Sequence, residues 1–417
     1  MTGDRTRLRH SLIISTTTMF PLEQAVDGAF TRLKLLVMAV AEISDTVSIL
    51  FLVPDADIVA GQHTDRLGER LSAHWGIDVT VRFVMSRPRP AGFYAHYISG
   101  IWSAASQPDI VHYTGPEQLL AVAQALDAAP DLVLVYKLPA MVAVLKTGRR
   151  PANLFFDLDD IEHRLRIRTA LQPPVWPGKL AYLAHAIALF LAERRAASLA
   201  RQMFVCSEAD TAYLRRRGFP AGLTVVPNAV PIPADIGPLV AAPTLLFLGG
   251  YSYAPNRDAA ERLITRIWPI VHKKRPDARL IVAGKSAALI PSFGARPEGV
   301  EFTGFVPDLD ALYARARVIT CPIMAGGGTR LKLLEAAAYG KPMVSTTIGA
   351  EGILFRPGED ILIADDDAAF ASACLFLLED DAEAARLGGA ARAMVSATYD
   401  LSVIARQLAA VMAEDVA

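Results

Sequence analysis

Residues 321–352 read CPIMAGGGTRLKLLEAAAYGKPMVSTTIGAEG. The residues leading into it, ARVITCP at 316–322, are apolar and β-branched, which predicts a buried strand. Three glycines then leave a loop bare of side chains, and Thr329 is expected to cap a helix starting at Arg330. That helix should end near Gly340, with a further strand over residues 342–345. Strand, glycine loop, helix and strand make one βαβ unit, with the loop at the carboxyl end of its first strand. Open parallel sheets bind ligands there.

The residue types in that loop suit a phosphate. The first N–H groups of a helix lack intrahelical partners and carry partial positive charge, so an anion fits against them. Gly326, Gly327 and Gly328 allow close backbone approach, Arg330 and Lys332 add cations, and Glu335 lies three residues beyond Lys332 on the same helical face. Two cations and one acceptor suit a diphosphate beside a hydroxylated sugar. The alternative is a flexible turn followed by a solvated Lys332–Glu335 pair, and the strands on both sides weigh against it. The Gly-Lys-Ser/Thr ending of an ATP-binding P-loop is missing.

Working outward, strand-like and helix-like runs alternate along the 417 residues, as in an α/β protein with mainly parallel sheets. The first half offers strands at SLIIST, VSILFLV, VTVRFVM, DIVHYT, LVLVYK, LFFDL and QMFVCS, with amphipathic stretches at residues 30–43 and 193–200. Residues 223–238 hold four prolines and a glycine and read as a crossing between domains. A second series follows: TLLFLGG, a helix over 259–274, ARLIVAG, VEFTGF, a helix over 308–316 and VITCPI. The length suggests two domains of roughly 200 residues. The expected division is 1–225, 226–396 and a terminal helix, 397–417, returning toward the first domain. The tail from residue 368 reads as two helices broken near Tyr399 and Asp400.

Composition excludes several classes. A net charge of −1 gives no basis for a nucleic-acid partner, and Cys206, Cys321 and Cys374 stand far apart with no zinc or disulfide spacing. The N-terminal MTGDRTRLRHSLIIST reads as a first strand, not a signal peptide. The apolar run at 180–192 is interrupted by His185 and is shorter than the ~20 residues a membrane span needs. Cytoplasmic residence is the expectation. Residues 160–220 carry ten Lys/Arg against five acids beside that run, which allows peripheral contact with an anionic membrane surface or a lipid-linked acceptor.

The second half resembles the nucleotide-sugar domain of GT-B glycosyltransferases, in the large retaining family called family four. The residues that carry the likeness are VVPNAV (225–230), LLFLGGYSYAPNRDA (245–259), LIVAGK (280–285), VEFTGFVPDLDALYARARV (300–318) and the glycine-loop segment through TTIGAEGI (346–353). The first half matches through FFDLDDIEHR (155–164), CSEADTAYL (206–214) and the loop at Asp27 and Gly28. The resemblance implies two Rossmann-like domains facing across a cleft, terminal helices closing the chain, and transfer of a sugar from a nucleoside diphosphate sugar. It carries Glu335 over as the receiver of the ribose hydroxyls, Phe305 and Val306 as neighbours of the base, and Gly249, Gly250 and Gly28 as glycines at the donor.

The family's earlier glutamate, eight positions before Glu335, is Gly327 here, and its Arg and Lys after the first glycines are replaced by Tyr251 and Asn256–Arg257. Arg330 and Lys332 are therefore expected to neutralise the diphosphate, with Gly328, Thr329 and Arg257 contributing. Glu351 is either a turn residue or a neighbour of the donor sugar. The family's N-domain histidine is Asp159, and Asp159, Asp160 and His163 are candidates for acid/base work, set against helix capping. His112 and His185 read as core histidines, and Asn228 as a turn residue. No metal or cofactor is expected beyond the donor. An epimerase of the same architecture and a catalytically silent nucleotide-binding subunit remain as alternative functions.

Overall fold

The structure, a computed structural model, describes residues 7–17, 28–53, 66–85, 114–171, 179–220, 222–238, 240–325 and 329–416. The chain divides into two compact units, Met1–Pro227 with Ser402–Ala417, and Asn228–Leu401.

The first unit is built on seven parallel strands: β1 (Leu8–Ser15), β2 (Ser44–Val53), β3 (Thr80–Met85), β4 (Leu132–Tyr136), β5 (Leu154–Asp159), β6 (Gln202–Val205) and β7 (Leu223–Val225). Their order across the sheet is β3-β2-β1-β4-β5-β6-β7. The central strands are apolar along nearly their whole length because helices cover both faces; all five residues of β4 are buried. Helices Leu138–Thr147 and Leu180–Leu199 supply much of that cover. A buried arginine–aspartate pair lies among the described residues of this unit. Arg32 of helix Gly28–Ile43 reaches Asp157 of β5 at 2.8 Å with both side chains fully buried, and donates to the carbonyls of Val226 and Pro227 at 2.6 and 3.0 Å.

The second unit repeats the plan with six parallel strands: β8 (Thr244–Leu248), β9 (Arg279–Ala283), β10 (Val300–Gly304), β11 (Val318–Cys321), β12 (Met343–Ser345) and β13 (Leu362–Ile363). Their order is β10-β9-β8-β11-β12-β13. In both sheets the order reverses between the first and fourth strands, β1 and β4 or β8 and β11. That reversal opens a crevice at the carboxyl ends, where α/β sheets take ligands.

Three local expectations are corrected. The helix expected over 259–274 is Ala254–Arg262, a π-helical turn at Leu263–Ile267 and helix Trp268–Lys274. Pro269 has no N–H to donate into the preceding turn, and the wider turn absorbs the defect. The tail forms three helices, Asp367–Glu379, Asp381–Thr398 and Leu401–Val416, because Asp380 leaves the helical region at φ −104°, ψ 101° and caps the next helix through the Glu383 N–H. The strand β7 falls inside the stretch read as a crossing. The expected strand DIVHYT and His112 lie outside the described residues, save for Thr114.

All three cysteines are free and buried, Cys206 in the first unit and Cys321 and Cys374 in the second. No described helix is long and apolar enough to cross a membrane.

Candidate functional site

The glycine pair Gly249–Gly250 leaves the carboxyl end of β8, and the helix Leu331–Ala338 follows the glycine loop after β11. The crevice of the second unit therefore lies between them. Its floor is set by backbone contact. The Gly249 N–H donates to Ala283 at 3.0 Å and the Gly284 N–H to Gly304 at 2.7 Å, tying the ends of β8, β9 and β10 together. Gly284 has φ +134°, and a Cβ there would stand 1.8 Å from the Gly249 carbonyl oxygen. Only glycine fits.

Lys332 is the centre of the cluster. Its ammonium donates to Asn256 Oδ1 at 2.8 Å and stands 4.4 Å from the centroid of the Phe247 ring. Asn256 in turn donates from Nδ2 to the Gly250 carbonyl at 3.1 Å. A Cβ on Gly249 would come within 3.2 Å of Lys332 Nζ, so the ammonium sits directly against the bare backbone after β8. Burial, reinforced by repulsion from Arg330, draws the Lys332 pKa down to about 8. Arg330 itself is buried, 7% exposed.

Glu335 lies one helical turn away. Burial pushes its pKa up to about 7, against the pull of Lys332 and of the Tyr313 hydroxyl, which donates to Oε2 at 3.4 Å. Tyr313 is wholly buried and stacks on Tyr339 at 4.3 Å between centroids, and the Tyr339 hydroxyl donates to Asp310. A carboxylate that takes a hydrogen bond from a phenol and feels a nearby ammonium can accept hydrogen bonds from a diol.

The helix start departs from expectation. Arg330, at φ −88° and ψ 89°, precedes the first helical residue Leu331, and Thr329 does not cap the helix. The Thr329 hydroxyl accepts instead from the side-chain amide of Asn228, a contact across 101 positions of sequence. Asn228 is thus tied to the segment that carries Arg330. Gly327 and Gly328 lie outside the described residues.

The remaining expected donor neighbours are distributed around this cluster. Phe305 and Val306 follow β10; Lys285 stands over the Phe305 ring at 5.0 Å, and Val306 packs on the core of the unit. Arg257 follows Asn256 in helix Ala254–Arg262, and among the described residues none of the side-chain hydrogen bonds of the cluster involves it. Glu351 is partly exposed in the turn after β12, its N–H donating to Ile348 at 3.3 Å. Asn256, Tyr313 and Lys285 escaped the sequence reading as site residues; the one signal for Asn256 was its place in the stretch where the resemblance implies a cation.

In the first unit, Gly28 opens helix Gly28–Ile43. Asp159 ends β5 and pairs with Lys137 at 3.3 Å, and Asp160 follows it, partly exposed. His163 is only 2% exposed: Nδ1 bonds a Glu193 carboxylate oxygen, Nε2 meets the Tyr213 hydroxyl at 3.2 Å, and its N–H donates to Glu193 at 3.1 Å. This arrangement suits a residue that locks helix Glu162–Leu171 onto helix Leu180–Leu199 better than one facing substrate. His185 is buried too.

Residues 242–380 match the family model described as Glycosyl transferases group 1. A phosphatidyl-myo-inositol mannosyltransferase of Mycobacterium leprae is 31% identical over 171 residues, 40% of this chain and 45% of the relative. An uncharacterized 44.6 kDa protein in the cps region of Klebsiella pneumoniae is 27% identical over 135 residues, 30% of this chain and 35% of the relative. The matched stretches span less than half the length of either relative. Among solved structures, HepE of Anabaena in complex with UDP and glucose superposes with a TM-score of 0.65 at 16% identity, covering 97% of this chain and 99% of that one. The fold is α/β with two Rossmann-like parallel sheets, a fold shared with HepE, and the glycosyl transferases group 1 match falls on the second of them.

Proposed function

We propose that the protein moves a sugar from a nucleoside diphosphate sugar to a glycan or lipid-linked acceptor, with retention at the anomeric carbon and without a metal or a further cofactor. Within the glycosyltransferases the GGGTRLKLLEA wording supports a family-four-like member, and the hexosyl group is the class of sugar we assign. The observation that carries this reading is the Lys332 ammonium, oriented by Asn256 against Gly249 at the carboxyl end of β8. Cleaving the glycosyl–phosphate bond builds negative charge on the leaving diphosphate while the sugar becomes oxocarbenium-like. A fixed ammonium and guanidinium at that point stabilise the transition state more than the ground state. Glu335, bonded by Tyr313 one helical turn from Lys332, is the acceptor for the ribose hydroxyls.

HepE of Anabaena holds UDP and glucose, and one curated relative is a mannosyltransferase; both are consistent with a nucleotide-sugar donor. The relative from a cps region favours a role in surface polysaccharide synthesis. Peripheral attachment at the inner face of the membrane is supported by exposed Leu171, Leu180 and Ile187 beside Arg166, Arg168 and Lys179, a basic and apolar surface suited to anionic lipid. Thermal-shift titration with UDP, GDP and their hexose conjugates tests the donor reading, because a ligand of the folded state raises its melting temperature. A shift with at least one nucleotide that is lost in Lys332→Met supports it; no shift with any of them refutes it. Transfer to an acceptor, as against interconversion of the donor alone, separates a transferase from an epimerase. Co-sedimentation with vesicles with and without anionic lipid tests the membrane contact.

A further inference from the structure

The motif Asp157-Leu158-Asp159 places two carboxylates at the end of β5, and the structure gives them different fates. Asp157 is consumed by Arg32, with both side chains at 0% exposure. Asp159 pairs with Lys137, and solvent reaches both, 28% for Lys137 and 11% for Asp159. Lys137 directly follows β4 and Asp159 ends β5, strands that lie side by side in the sheet, and β4 adjoins β1 at the reversal of strand order. In such sheets that is where ligands sit.

Both residues hold a backbone conformation that side chains disfavour. Lys137 has φ +71° and Asp159 φ +61°, two of five such non-glycine residues among those described. Strain of this kind persists where the surroundings impose it, and it concentrates at binding sites. The surroundings here do impose it. The Tyr136 hydroxyl bridges the Ala29 carbonyl and Asp159 Oδ2, each at 3.0 Å, and the Cys206 thiol lies 3.5 Å from Oδ1. The carboxylate is therefore aimed before any ligand arrives.

The chemistry of the pair narrows the ligand. An anion would meet the Asp159 carboxylate and a metal ion the Lys137 ammonium, so neither is favoured. A neutral diol suits both: one hydroxyl donates to the carboxylate and its neighbour accepts from the ammonium. We propose that Lys137 and Asp159 form a hydroxyl-binding dyad in the first unit that holds the acceptor sugar through two adjacent hydroxyl groups. The proposal rests on the transferase reading for the identity of its ligand, and it makes Asp159 a binding residue, not a general base.

Saturation-transfer NMR on the full chain, with methyl α-D-glucopyranoside and methyl α-D-mannopyranoside as probes and UDP as the reference ligand, tests it. At least one glycoside should show contact with the wild type. Its affinity should fall by about tenfold or more in Asp159→Asn and in Lys137→Gln, the loss of one charged hydrogen bond. UDP contact should stay unchanged in both variants. Asn tolerates positive φ, so Asp159→Asn preserves the backbone, and Lys137→Gln gives the same test if that variant fails to fold. No glycoside contact in the wild type, or equal contact in the variants, overturns the dyad. Absence of UDP contact in the wild type sinks the donor reading separately.

Discussion

Lys332 and Asn256 stand 76 positions apart in sequence and meet at 2.8 Å, ammonium to amide oxygen, over the bare backbone of Gly249. Asn256 thereby fixes one of the three Lys332 protons and leaves the head group poised beside the glycines.

Replacing Lys332 with Met should lower transfer by about a hundredfold or more, the usual loss when one charge-stabilising donor is removed. Asn256→Ala leaves the charge but frees its position, and should weaken UDP binding by about tenfold through one lost charged hydrogen bond. Calorimetric titration with UDP, alongside initial rates, checks both. Equal behaviour of Asn256→Ala and wild type would show that the lysine does not need its partner.

Glu335 and Lys332 give the candidate site its own pH response. Glu335 rises from an ordinary 4.5 to about 7, so its contribution to stability is complete below 4.5 and lost as pH climbs through 7. Lys332 falls from 10.5 to about 8, so its contribution is complete above 10.5 and lost as pH drops through 8. Between about 7 and 8 both groups are charged and the pair stabilises the fold least. On the proposed donor reading UDP is held by that charged form, so UDP affinity should peak in this interval and decline on either side. A flat affinity profile from pH 6 to 9, scanned by thermal shift, would contradict the assignment.

Gly284→Ala should be among the most damaging single changes in the second unit. Its Cβ would overlap the Gly249 carbonyl at 1.8 Å, on a backbone with φ +134°, and the strand ends beneath the site would have to part. A loss of roughly 3–5 kcal/mol is expected in denaturant unfolding. Gly250→Ala, where a Cβ meets nothing within 4 Å, serves as the control.

Arg32→Met should destabilise the first unit by roughly 3–5 kcal/mol, because Asp157 would remain buried without its counter-charge. Burial already raises the Asp157 pKa to about 6 in spite of Arg32. Removing both charges together in Arg32→Met/Asp157→Leu should recover most of the loss, as apolar replacements of a buried pair commonly do. Urea titration of the single and double variants decides the point.

The strands were legible because parallel strands covered on both faces must be continuously apolar, as VITC of β11 and LVLVY of β4 are. Local chemistry was harder to read. Thr329 looks like a cap by type, yet its hydroxyl is claimed by Asn228, and sequence alone does not reveal a competitor 101 positions away. Pro269 signals a break inside a helix but not that a π turn will bridge it. Lys332 and Glu335 could be paired from helical spacing, whereas Asn256 and Tyr313 join the site only through the folding of the sheet. The Lys137–Asp159 pair was hidden for the same reason, since adjacency of β4 and β5 had to be known first.

The concealment of every thiol gives each half of the molecule its own built-in reporter. Cys206 belongs to one unit, Cys321 and Cys374 to the other, and none faces solvent. An alkylating pulse followed by peptide mass analysis would therefore record the opening of the two halves separately. It would show whether they melt as one cooperative block or in sequence.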